Sequence, residues 1–338
     1  MILSFAPPRS QCLGPSSSSS SSSVAAADPR RRLPSTRASL NRERRAPKHR
    51  PQSASSASPS SPAAAAAAAS SSLSYGRRRR RRPQNVDGDF FVDTTCIDCD
   101  TCRWMAPQIF MRVDEMSAVF KQPANEEERL KALQALISCP TSSIHTEKPA
   151  PDVLVAHETF PIPIDEQKLP GVYHCGYHSE KSYGASSYLI VRAEGNILID
   201  SPRYTERLAR KIEMLGGAHS MFLTHKDDVA DHKKWRERLG CDRILHSEDG
   251  SVCLLYKPLE VIFTGDHLIM TPTGLSIVER YNRCSVTAQL NSVEKLVDLD
   301  FRWIVPGHGR RIEFKSSLEK DLVLKEFVQQ KSSQFAYI

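Results

Sequence analysis

The sequence predicts a layered α/β protein, preceded by a small cysteine-bearing module and a leader with no core of its own. Three observations carry that prediction. Residues 1–85 are Ser-, Pro- and Arg-rich and almost free of acids. Cys96, Cys99 and Cys102 form a C-x2-C-x2-C run, and Cys139-Pro140 follows after a gap. From residue 172 onward, short apolar runs alternate with helix-period segments, which is the pattern of sheets covered by helices.

The leader comes first. It holds Ser16 to Ser23 and Ala63 to Ala69 unbroken, and sixteen Lys or Arg against only Asp28 and Glu43. Such a composition buries too little apolar surface to offset its ordering entropy, so disorder is expected. Ser-rich, Arg-rich, acid-poor N-termini are typical of organelle transit peptides, and the serines favour a chloroplast stroma destination. Of the formal net charge of +7, this leader contributes +14 and the remainder −7. The Arg77 to Arg82 run lacks interleaved aromatics, so no nucleic-acid partner is expected. No apolar run approaches the roughly 18 residues that span a bilayer, so no membrane span is expected.

Residues 86–148 read as the cysteine module. Phe90 to Asp93 is a short strand, Trp104 to Phe110 a helical turn, and Met116 to Phe120 a second strand. Asn125 with Glu128 forms a capping-box signal, and Leu130, Leu133, Leu136 and Ile137 lie at helical spacing on the helix that delivers Cys139. Four thiolates so spaced, closed by Cys-Pro, suit one cubane cluster, with tetrahedral zinc as the competing use. Acidic Asp93, Asp98 and Asp100 are expected to lower a cluster's potential. The module is similar along its length to single-cluster [4Fe–4S] ferredoxin domains, which implies Cys96, Cys99, Cys102 and Cys139 as ligands and an external redox partner.

Residues 149–170, punctuated by five prolines, read as an extended linker. Residues 171–338 read as the layered domain. Val172 to His178 is its first strand, with His174 and His178 taken as surface residues. Strands at 187–191 and 196–200 pair across Glu194-Gly195, and Thr205 to Leu215 is a helix ended by Gly216-Gly217. Met221 to Leu223 is a strand that runs into Thr224-His225-Lys226-Asp227-Asp228-Val229-Ala230-Asp231-His232. Apolar strands also end at Thr264-Gly265-Asp266 and Pro306-Gly307-His308-Gly309. Three strand ends that each present His or Asp point to one metal site open to a small-molecule substrate. Helices are expected at Thr287–Leu299 and Leu318–Gln330. Cys175, Cys241, Cys253 and Cys284 lack metal spacing, and Tyr281 to Cys284 is a candidate pocket lining.

Asp200, Thr224-His225, Asp231-His232, Thr264-Gly265-Asp266 and Pro306-Gly307-His308-Gly309 come in an order that resembles the metallo-β-lactamase superfamily, nearest its glyoxalase II-like hydrolases. The resemblance implies an αββα sandwich and one or two divalent ions, zinc or iron/manganese. Asp231, His232, Asp266 and His308 would build one metal site, with Asp266 bridging and Asp231 orienting the attacking hydroxide. His225 would serve the other. Asp227 stands where the family has a second His; it reads as an oxygen ligand or as a solvated residue of a lengthened loop. The family's Gly-His-Thr-x-Gly-His-type segment is absent: Leu245-His246-Ser247-Glu248-Asp249 runs directly into Gly250-Ser251-Val252. That internal deletion is expected to truncate the sandwich, leave a sheet edge unpaired, and weaken activity, stability or both. The implied activity is ester or thioester hydrolysis. The alternatives are a ferredoxin-coupled di-iron oxidoreductase and a non-catalytic iron–sulfur protein.

Overall fold

A computed structural model describes residues 2–5, 80–225, 229–245, 251–279 and 285–335. Its frame is two sheets stacked face to face. One has six strands in the order β11-β10-β9-β8-β7-β6: Asp242–Ile244, Ser220–Phe222, Ile197–Ile199, Tyr188–Ile190, Val172–His174 and Ile162–Pro163. The other has five in the order β1-β12-β13-β16-β17: Ile2–Phe5, Cys253–Tyr256, Val261–Gly265, Trp303–Pro306 and Ile312–Glu313.

Why these runs become central strands follows from their two faces. In β9, Ile197 and Ile199 enter the core between the sheets, while Leu198 enters the core behind them. In β13, Val261 and Phe263 face inward and Ile262 faces the outer layer. A strand covered on both sides reads as a continuous apolar run because each alternate residue has a core to enter. Each such side chain contributes about 1.5–3 kcal/mol on burial. Helices α6 (Val286–Glu294) and α7 (Ser317–Phe335) close the outer face of the five-stranded sheet through Leu290, Val293, Leu324 and Phe327. Helices α4 (Glu206–Met214) and α5 (His232–Leu239) close the other through Leu208, Ile212 and Trp235.

The cysteine module packs on this second helical layer. Strands β2 (Phe90–Val92) and β5 (Ile144–Thr146) pair antiparallel, as do β3 (Phe110–Val113) and β4 (Met116–Val119). Helix α1 (Thr101–Met105) begins between the second and third cysteines, earlier than the helical turn expected from Trp104. Helix α2 (Glu126–Ser138) has the expected N-cap, with Glu128 N–H donating to Asn125 Oδ1 at 2.9 Å; the returning Glu128 carboxylate accepts from Ala124 N–H at 2.8 Å, one residue before the position a capping box uses. Phe90, Leu133, Phe160, Leu189, Leu208 and Trp235 belong to one continuous core cluster. The module and the sandwich therefore share a core.

Three expectations are corrected here. The stretch 149–170 is not an extended linker. It forms helix α3 (Val153–Glu158) and edge strand β6, and buries Ala156 and Phe160 in the core cluster that module and sheet share, and Leu169 in the core between the two sheets. The leader is not without structure at its two ends. Ile2–Phe5 runs parallel to β12 in the register Ile2↔Cys253 to Phe5↔Tyr256, so that edge of β12 is paired. At the other end Arg82 is buried, and its guanidinium donates to Ser117 O and to Val113 O, while Arg81 forms a β-bridge with Asp93. Part of the arginine run is thus structural. The join at Asp249–Gly250, and His246, lie outside the described residues.

Candidate functional site

The cluster loop turns tightly because Asp98 and Asp100 sit at positive φ, 59° and 65°. Short polar side chains tolerate that region, and here they bracket Cys99. Arg103 locks the loop, with Nη1 2.7 Å from Asp98 Oδ1 and Nε 2.6 Å from Asp100 Oδ1; Arg112 adds a second cation 2.7 Å from Asp98 Oδ2. Asp93 is buried against His145 at 2.8 Å. The expectation that these acids lower the cluster potential is corrected for Asp98 and Asp100, since adjacent guanidinium groups offset their charge.

The sulfurs are well supplied with donors. Ser117 N–H points at Cys96 Sγ (3.4 Å) and Ser143 N–H at Cys139 Sγ (3.3 Å). Ser117 Oγ lies 3.1 Å from Cys102 Sγ and Thr101 Oγ1 3.4 Å from Cys99 Sγ. Burial, reinforced by the neighbouring Cys139 and Cys96 thiolates, pushes the Cys99 thiol up to about 12, and burial pushes Cys102 well above its ordinary value. Four negative thiolates without a counter-charge would repel one another here, and a cationic iron–sulfur core would relieve that. The sandwich reaches the same sulfur. A Cβ on Gly184 (φ +87°) would lie 2.8 Å from Cys99 Cβ and 3.2 Å from its Sγ. The donor set fits a cluster, and Cys96, Cys99, Cys102 and Cys139 are the residues that would hold it.

The sandwich site forms at the ends of β10, β13 and β16. His308 Nδ1 lies 2.5 Å from Asp266 Oδ1, and His308 Nε2 lies 3.1 Å from Tyr183 O. Both ring nitrogens face oxygen atoms of the protein. Burial alone would raise the Asp266 pKa, but His308 and His225 outweigh it and hold it low. His225 is fixed by Thr224 Oγ1 (3.0 Å) and Ser251 Oγ (2.7 Å). Thr224 N–H in turn donates to buried Asp200 at 2.7 Å, and burial raises Asp200 to about 6. Gly265 is required there, since a Cβ would meet Thr224 Oγ1 at 2.3 Å and His225 Cε1 at 2.9 Å.

The structure thus brings His225, Asp266 and His308 toward one another. It does not bring Asp231 and His232 to them. Asp231 Oδ1 pairs with Lys181 (3.1 Å) and Lys234 (3.6 Å), and its Oδ2 accepts from Tyr204 N–H. Burial opposes ionisation of Asp231, yet the Tyr204 N–H and the two lysines hold its pKa below the carboxylate range. His232 opens α5, with Nδ1 3.0 Å from Arg243; burial and Arg243 depress its pKa. Among the described residues no three His, Cys, Asp or Glu side chains are placed to hold a single metal ion. As arranged, these donors are committed to protein partners and do not fit a two-ion centre. Asp227 and the Tyr281–Cys284 stretch lie outside the described residues.

His174 and His178, expected at the surface, are buried at the seam between module and sandwich. Their Nε2 atoms are 2.9 Å apart, and His178 Nδ1 is 3.0 Å from Thr101 Oγ1. The signal that could have found them is the His-x3-His spacing across Gly176 at the end of a strand. Trp104 packs edge-on against His174, and the Arg311 guanidinium stacks 4.6 Å from Trp104 and 5.7 Å from Tyr188.

Two family models match parts of the chain. Residues 92–146 match the 4Fe-4S single cluster domain of Ferredoxin I, and residues 244–308 match the metallo-beta-lactamase superfamily. The chain therefore joins a 4Fe–4S ferredoxin-type domain to a metallo-β-lactamase-type domain in a mixed α/β fold. No curated protein matches it. Among solved structures, a metallo-beta-lactamase family protein from Thermus thermophilus is 16% identical, covering 50% of this chain and 82% of that one at a TM-score of 0.35. A metallo beta lactamase from Hirschia baltica is 15% identical, covering 46% and 94% at a TM-score of 0.34. The metallo-beta-lactamase FIM-1 from Pseudomonas aeruginosa, in a mono-zinc form, is 12% identical, covering 43% and 84% at 0.33.

Proposed function

We propose that the protein is a one-electron carrier of the single-cluster [4Fe–4S] type, built into the flank of a sandwich that keeps only part of a hydrolase site. The observation that carries this reading is the donor set at the sulfurs: backbone N–H groups on Cys96 and Cys139 and hydroxyls beside Cys99 and Cys102. Donors aimed at sulfur stabilise the thiolates that a cluster needs. The four sulfurs feel one another's charge, yet no three described donors converge on one ion. The match of residues 92–146 to a 4Fe-4S single cluster domain favours a cluster over zinc as their ligand. The bound cluster would accept and release one electron, and the chain's own residues hold, screen and tune it. Anaerobic reduction by a low-potential donor, followed by reoxidation with an acceptor ferredoxin or dye, tests the carrier role. A chain that cannot be cycled would reject it.

A second reading, a divalent-metal hydrolase acting on an ester or thioester, is favoured by the meeting of His225, Asp266 and His308. The test is turnover of such substrates by zinc-, iron- or manganese-supplemented protein before and after Asp266→Ala. Equal turnover in the two proteins would reject this site. A di-iron oxidoreductase would need a two-ion centre, which the placement of Asp231 and His232 does not supply. The Ser- and Arg-rich, acid-poor leader supports a plastid destination, and fractionation of tagged protein tests that.

A further inference from the structure

The buried histidines of the sandwich line up with the cluster loop. Thr101 Oγ1 lies between Cys99 Sγ, 3.4 Å away, and His178 Nδ1, 3.0 Å away; His178 Nε2 lies 2.9 Å from His174 Nε2. A cysteine sulfur bound to iron carries no proton, so it can only accept. If the Thr101 hydroxyl donates to that sulfur, its oxygen must accept from His178 Nδ1–H. A neutral His178 protonated at Nδ1 has a bare Nε2, so the remaining contact requires the proton on His174 Nε2. Each link fixes the next, and every donor points toward Cys99.

From this geometry we propose that His178 and His174 are positioning residues through which the sandwich sets the cluster's reduction potential, by a relay of hydrogen bonds ending on Cys99 Sγ. The inference rests on the cluster reading above. Donors in series polarise one another, and a stronger donor on a cluster sulfur favours the more negative, reduced cluster. The surroundings keep both rings neutral. Burial first, then Arg311 and His178, depress His174 well below its ordinary value; burial first, then His308, bring His178 down to about 3. His174, His178, Arg311 and His308 all belong to the sandwich domain, so its packing acts on the cluster loop through Thr101.

The test is a redox titration of the anaerobically reconstituted full chain, followed by electron paramagnetic resonance. Thr101→Val removes the hydroxyl and keeps the shape. The reduction equilibrium constant should fall about tenfold, which is about 59 mV for a one-electron couple. Thr101→Ser should keep the original potential. His178→Phe should shift it in the same direction by less, and adding His178→Phe to Thr101→Val should shift it no further. A loaded Thr101→Val protein with the original potential, or additive shifts in the double variant, would overturn the relay while leaving the cluster reading intact. A chain without iron and sulfide would overturn both. If a variant loses its cluster, the unaltered loaded protein still decides. Exchange into D2O should shift its Fe–S(Cys) stretching bands when the Thr101 proton rests on sulfur, and no isotope shift would overturn the proposal.

Discussion

Arg103 shows how a single residue sets the character of the cluster loop. It is buried, holds Asp98 and Asp100 through separate nitrogens, and donates to Ser117 Oγ, which itself contacts Cys102 Sγ. Removing one partner of such a buried pair strands the carboxylates beside the thiolates, at a cost of about 3–5 kcal/mol. Arg103→Gln is therefore expected to lower both the cluster's potential and the resistance of the loaded protein to guanidinium. Unchanged values in redox titration and denaturation would show the charges to be screened by solvent instead. The buried imidazoles give a pH dependence. His174 and His178 are held neutral in the folded chain, with His178 depressed to about 3, whereas unfolded histidine titrates near 6.5. Below that value the unfolded chain takes up protons that the folded chain refuses. Stability is thus fully present above about pH 6.5 and falls as pH drops toward 3, by roughly 1 kcal/mol per pH unit for each ring. Melting curves between pH 7.5 and 5 check this; a flat profile would mean that the rings are solvated. The contacts of Arg103 with Ser117 and of Thr101 with His178 were not legible in the sequence, because they join residues 14 and 77 positions apart.

At the scale of elements, what could be read was what local chemistry decides. The helix at Glu126–Ser138 followed from the Asn125–Glu128 cap, and the central strands from continuous apolar runs. The prolines of 149–170 misled, because a Pro-rich stretch can still bury Phe160 and Leu169 once a neighbouring sheet offers an edge. The ligand-type residues after β10 were legible as a motif but not as a site. Whether Asp231 faces His308 or Lys181 is a matter of loop path, which residue type does not encode. Strand β1 yields a prediction of its own. Ile2–Phe5 pairs with β12, so removal of residues 1–79 uncovers that strand's N–H and C=O groups. Open edges invite pairing with other chains. The shortened protein is expected to self-associate in a concentration-dependent manner by light scattering. A strictly monomeric product at high concentration would show the edge to be covered by something else.

Across the whole molecule, the continuity of the core couples the two domains. Phe90 and Leu133 of the cysteine module belong to the same cluster as Leu189, Leu198 and Trp235 of the sandwich. Chelating the iron should therefore lower the melting temperature of the sandwich as well, in one transition rather than two, by calorimetry. Two separate transitions, with only one sensitive to the chelator, would contradict a shared core. No helix among the described residues is long and apolar enough to cross a membrane. The account as a whole depends on four thiolates, Cys96, Cys99, Cys102 and Cys139, enclosing a cluster at the seam. The most direct measurement is the iron, zinc and acid-labile sulfide content of the anaerobically reconstituted chain, alongside Cys99→Ser. The account predicts about four iron and four sulfide per chain, as a cubane requires, with a marked loss in the variant. One zinc per chain and no sulfide would contradict it.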